Sequence, residues 1–168
     1  MRSPNIRSGT ITAIKEQARD AGRVSVHLDG AFAFGLAKVV VAENQLHVGQ
    51  ARTEEDVARL LAGEEAEQAI EAAVRLLAVR ARTRRELHER LMRRGLSDVA
   101  VEAALARLDA WGYLDDAAFA RQWIDDRTRH RPRGERLLRE ELRRHGVSDS
   151  LAAEVVAAAD IDEVAAAV

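Results

Sequence analysis

The feature that most restricts the fold is an internal repeat in the C-terminal two-thirds of the chain. With Gly95 set on Gly146, an offset of 51 residues, Leu87 falls on Leu138, Leu91 on Leu142, Arg93 on Arg144 and Leu96 on Val147. Ser97-Asp98 falls on Ser148-Asp149, Leu105 on Val156, Ala69 on Ala120 and Arg80 on Arg131. Within each copy, apolar residues recur at helical spacing between cap and stop residues. Thr83 and Glu86 fit a capping box, Gly95 stops that helix, and Ser97 caps the next. The unit is therefore three helices, at 66–111 and again at 112–159. Units of this kind stack on one another and form an elongated array with a long side surface. Leu87, Leu91, Leu138 and Leu142 belong to its expected core. Residues 160–168 read as the start of a missing third unit.

Residues 1–52 follow a different pattern and are expected to form a small β-rich subdomain. Thr10–Ile14 alternates loosely, Asp20-Ala21-Gly22 reads as a turn, and Arg23–Leu28 alternates cleanly. Asp29-Gly30 then closes a hairpin with Ala31–Leu36. A three-residue loop would set Val26 against Phe32 and Val24 against Phe34, whereas a two-residue loop would split valines from phenylalanines. The longer loop is the expectation, with Val39, Val41, Leu46 and Val48 as a lid on the sheet. Thr53 caps a linking helix over 53–65, in which Gly63 is a place to break. The expected fold class is mainly α: two tandem three-helix repeats preceded by a small N-terminal sheet.

Charge is arranged in blocks. Arg75–Arg94 holds eight arginines against two acids, and Gly95–Ala120 one against five. Arg121–Gly146 holds nine arginines against five acids, and Val147–Val168 five acids and no base. A net charge of −2 argues against a strong general nucleic-acid binder, yet successive helices of opposite charge could give one basic side. With no cysteine there is no disulfide framework or thiolate metal site. The histidines at 27, 47, 88, 130 and 145 lack metal-ligand spacing, and no nucleotide-binding or nucleophile-elbow motif is present. No catalytic residue, metal or cofactor is expected. The N-terminus lacks the apolar core of a signal peptide, and a cytoplasmic monomer is the expectation.

Two clusters stand out. Trp111, Tyr113, Phe119 and Trp123 concentrate the aromatics of an aromatic-poor chain at the repeat junction, and Leu114 joins them as an expected core residue. They are expected to fill the core where one unit meets the next, with Trp123 partly open; stacking on nucleic-acid bases is the alternative. Arg127, Arg129, Arg131 and Arg133 surround a proline-containing turn, where mutual repulsion would be relieved by a partner carboxylate or phosphate. With Arg136, Arg82, Arg84, Arg85, Arg93, Arg94, Arg143 and Arg144 they are the candidate contact residues. A solvated, helix-capping role is the alternative.

Gly112-Tyr113-Leu114-Asp115-Asp116 with Phe119-Ala120, the R-P-x-G at Arg131–Gly134, and Leu138-x-x-Glu141-Leu142-x-x-x-Gly146 resemble the second repeat of RecX-type regulatory proteins. Glu86-Leu87-x-x-Arg90-Leu91-x-x-Arg94-Gly95 looks like their first, and residues 9–50 look like an N-terminal extension of some members. The resemblance implies a non-enzymatic modulator that lies along the RecA–DNA filament and mainly inhibits its ATPase, extension and strand exchange. It thereby implies regulation of DNA repair, homologous recombination and the SOS response. Weak direct DNA binding would be compatible. The family usually shows three units and this chain supplies two, so either the chain is truncated or it is a naturally short variant; with a shorter reach along the groove, reduced or lost potency is the expectation. The rival readings are a stand-alone helical nucleic-acid-binding module and a helical-repeat adaptor for another protein. The N-terminal sheet would cap the array or bind a partner.

Overall fold

The computed structural model describes residues 6–130 and 134–159 and divides the chain into two compact units, Met1–Ala69 and Ile70–Val168. The first is built on an antiparallel sheet of four strands in the order β3-β2-β1-β4: β1 Gly9–Gln17, β2 Asp20–Leu28, β3 Ala31–Ala37 and β4 Ala51–Arg52. One face carries Ile11, Val24, Val26, Leu28, Phe34 and Leu36. It packs against Val40 of α1 (Lys38–Glu43), Leu46, and Val57 and Leu60 of α2 (Glu54–Leu77). Glu64 of α2 is buried but not unpaired: it accepts the Ala37 N–H at 2.6 Å and the Arg23 guanidinium at 2.5 Å. The carboxylate thereby ties α2 to β2 and to the start of α1, as a buried charge requires.

The hairpin differs from the expected register. Leu28 pairs with Ala31 across a two-residue turn in which Asp29 and Gly30 both have positive φ, 50° and 82°, the mirror-image turn that matches strand twist. A bulge between Val26 and His27 then corrects the alternation, setting Val26 against Phe34 and Val24 against Leu36. Phe32 consequently pairs with His27 and is 61% exposed. The first reversal also moves: β1 and β2 are joined at residues 18 and 19, and Asp20–Gly22 belongs to β2. The lid is made by Val40 and Leu46 with Val41 beside them. Val39 and Val48 are exposed: the helix at residues 38–43 buries Val40 and turns Val39 outward, and Val48 lies in the loop that follows.

From α2 onward the structure is helical, with α3 Arg84–Met92, α4 Asp98–Ala110, α5 Asp116–His130, α6 Glu135–Arg144 and α7 Asp149–Ala158. Helix α2 passes through Gly63 unbroken, its burial outweighing the glycine cost of about 1 kcal/mol. Val74 is exposed, and the buried apolar residues of this stretch are Ala66, Ala69, Ile70, Ala72 and Ala73. Equivalent positions of the two helix triplets are buried together: Leu87 and Leu138, Leu91 and Leu142, Leu105 and Val156, Ala69 and Ala120. Elsewhere size is exchanged, Ala73 for Ile124, Val101 for Ala152 and Ala104 for Val155, all of them buried. In the second triplet these residues form one core with Phe119 and Val147. No helix among the described residues is long and apolar enough to cross a membrane.

Candidate binding surface

The two triplets meet at the N-terminus of α3. Thr83 is fully buried; its hydroxyl caps α3 by accepting the Glu86 N–H at 3.2 Å and donates to the His145 carbonyl at 2.5 Å. The Arg84 N–H donates to Asp116 Oδ1 at 2.9 Å, so the carboxylate in the first turn of α5 sits at the positive end of α3. Arg85 donates to the Arg143 carbonyl at 3.4 Å. Gly146 lies so close to Arg85 that a Cβ there would stand 2.6 Å from the arginine Cβ. The end of α6 and the start of α5 thus both hold α3.

Below this joint lies a charge hub. Glu86 Oε1 accepts from Arg82 at 2.5 Å, Arg80 at 2.6 Å and Arg90 at 2.9 Å, while Arg82 Nε also caps the Leu76 carbonyl near the end of α2. Burial pushes the Glu86 carboxyl upward, but the hydrogen bonds from Arg90, Arg80 and Arg82 outweigh it and hold the group below its ordinary value. Glu86 therefore does not reach back to Thr83 as a capping box would have it; three guanidiniums compete for it. Arg82 is 8% exposed, so this candidate contact is a structural residue and not a surface one.

An aromatic stack continues from the joint. Trp123 lies on Phe119 with ring centroids 6.0 Å apart and meets the His145 ring at 4.1 Å. Its indole N–H donates to Glu141 Oε2 at 3.0 Å, and Arg127 donates to the same oxygen while lying 4.4 Å over the indole. Burial lowers the His145 pKa, with Arg80 and Arg127 pulling the same way and Glu86 and Glu141 opposing. Phe119 and Leu114 are buried. Trp111 and Tyr113, expected in the core, are 52% and 58% exposed. They lie past the end of α4, where the left-handed Gly112 reverses the chain, so helical spacing no longer decides which way they point.

Three family models match in chain order: the Regulatory protein RecX N-terminal domain over residues 9–51, the first RecX three-helix domain over 69–108 and the second over 115–156. The chain belongs to the RecX family. The Regulatory protein RecX of Mycobacterium avium is 46% identical over 94 residues, 56% of this chain and 54% of that protein. Those of Lacticaseibacillus casei and Bacillus licheniformis are 30% and 29% identical over 88% and 94% of this chain, and 56% and 60% of their own lengths. The chain thus spans a little over half of the relatives it matches. Among solved structures, one described as regulatory protein RecX superposes with a TM-score of 0.78 at 23% identity, covering 89% of this chain and 73% of that one. RecX from Lactobacillus salivarius gives a TM-score of 0.55 at 17% identity, over 57% and 62%. Both likenesses concern the fold.

On this RecX fold the candidate arginines separate. Arg84, paired with Glu102 at 2.7 Å, and Arg85 lie with His88, Asp116 and Gly146 around one polar groove. The Arg143 carbonyl accepts from Arg85 beside the groove, while its guanidinium lies 3.6 Å from Asp149. Arg85, Arg93, Arg143 and Arg144 are exposed, and their ion pairs face solvent and hold them weakly; Arg85 and Arg93 also donate to the carbonyls of Arg143 and Glu89. Arg94 and Arg136 are exposed and form no ion pair among the described residues. Arg129 pairs with Asp125 at 2.8 Å, whereas Arg127 is folded onto Trp123 and Glu141. Arg131 and Arg133 lie outside the described residues. Sequence reasoning missed Arg80, Asp116, Glu141 and His145 as joint residues, since each acts on a partner at least six positions away.

Proposed function

We propose that the chain binds the RecA–DNA filament and restrains its ATPase, extension and strand exchange, acting without catalysis as a cytoplasmic monomer. On this reading it serves to regulate recombination, repair and the SOS response. The observation that carries the reading is the seam between the two triplets, where Arg84 and Arg85 of α3 line one groove and Arg85 reaches the backbone carbonyl of Arg143 in α6. Arginines at the joint of two repeats whose ion pairs are with exposed acids can exchange those partners for phosphate or carboxylate groups of a filament. Arg129, Arg136 and Arg144 extend the same charge along the second repeat. The units at 66–111 and 112–159 would each contribute, with the sheet of 1–52 as a further contact or a cap.

The test is co-pelleting with cognate RecA filaments on single-stranded DNA, beside binding to the same DNA bare at two salt concentrations. Saturable pelleting with only weak bare-DNA binding is expected. Binding to bare DNA that accounts for all pelleting and collapses with salt would instead identify a nucleic-acid module. No binding to either would leave an adaptor for some other protein.

A further inference from the structure

Helix α4 ends in a turn that displays two aromatic rings. The Gly112 N–H donates to the Asp109 carbonyl and the Tyr113 N–H to the Leu108 carbonyl, both at 2.9 Å, with Gly112 at φ +75°. This double hydrogen bond fixes the residues on either side of the glycine. Trp111 and Tyr113 stand edge to face, centroids 6.5 Å apart, and more than half of each is in solvent. The Arg107 guanidinium lies 5.0 Å over Trp111, so the indole already receives one cation. Asp109 and Asp115, both exposed, flank the pair within two residues on each side.

Two large aromatics held in water by a rigid turn form the kind of anchor that dominates protein interfaces. Base stacking is the other use of such rings, but here the two carboxylates lie well within a Debye length and would repel phosphate. They attract cations instead. We infer that Trp111 and Tyr113, with Asp109 and Asp115, form a docking site for a basic segment of the filament's protein component. A lysine or arginine would lie on the rings and pair with the acids. The inference rests on the filament-binding reading and assigns a protein-facing surface distinct from the arginine groove.

The test places the photo-crosslinker p-benzoyl-phenylalanine at Trp111 and irradiates the full chain with cognate RecA on fluorescent single-stranded DNA, pelleting the same sample. Expected is a crosslink to RecA within a peptide bearing lysine or arginine. Co-pelleting with a crosslink to DNA, or with none, overturns this site and leaves the filament reading intact; failure of the unsubstituted chain to pellet overturns both. Trp111→Ala with Tyr113→Ala should weaken filament binding about tenfold without lowering the melting temperature, since both rings are exposed. Unchanged affinity of that variant would also overturn the site.

Discussion

Gly95 and Gly146 hold the same place in the two repeats and end their helices in the same left-handed conformation, at φ +83° and +91°. A Cβ added at Gly95 would meet nothing within 4 Å, whereas one at Gly146 would collide with Arg85. The same asymmetry runs through the units. Helix α3 begins at Thr83, buried and bonded in both directions, while α6 begins at Gly134, with no side-chain cap. Glu86 gathers three arginines, but the residue 51 positions later is Leu137, exposed and apolar. A repeat therefore dictates the helices and their core, and the neighbour each unit meets decides what its turns and caps do.

The largest contrast should come from Glu86. Glu86→Ala leaves Arg82 buried without its carboxylate and is expected to cost about 3–5 kcal/mol, while Leu137→Ala costs under about 1 kcal/mol. Urea midpoints at constant slope would measure both. Gly146→Ala combines left-handed strain with overpacking against Arg85, for about 2–4 kcal/mol; Gly95→Ala carries only the strain, about 1–2 kcal/mol. Equal losses would mean that the Arg85 contact is not tight. Thr83→Val removes both the α3 cap and the bond to the His145 carbonyl, an expected loss of about 1–2 kcal/mol.

The smallest effect is that of pH. His145 binds its proton less readily folded than unfolded, so between its ordinary value of 6.5 and its lowered value the unfolded chain holds more protons. Stability is then full above pH 6.5 and falls as pH drops through that window. Thermal melts from pH 7.5 to 5 should show the decline, and His145→Gln should flatten it. A decline of the same slope in that variant would assign it to other groups.

Much of this was legible in the chain. Thr83, Ser97, Gly95 and their counterparts marked helix ends because caps and stops act locally, and the 51-residue offset identified paired core positions through periodicity alone. What escaped depended on contacts distant in sequence or on compensating irregularities. The sequence neighbourhood of Trp111 and Tyr113 points to the core, but the turn at Gly112 sets their direction. Arg82 resembles its exposed neighbours in sequence, but Glu86 and the Leu76 carbonyl claim it. The hairpin register needed a bulge that no alternation pattern announces.

The most direct measurement is single-stranded-DNA-dependent ATP hydrolysis by cognate RecA, titrated with the wild-type chain and with Arg84→Gln/Arg85→Gln/Arg143→Gln. Glutamine keeps the aliphatic packing of Arg85 on Gly146 while removing the charge. Expected is inhibition by the wild type at substoichiometric protein and at least a tenfold weaker effect from a variant that melts at the same temperature. Equal inhibition by a folded variant would contradict the assignment of the groove between the repeats as the filament contact.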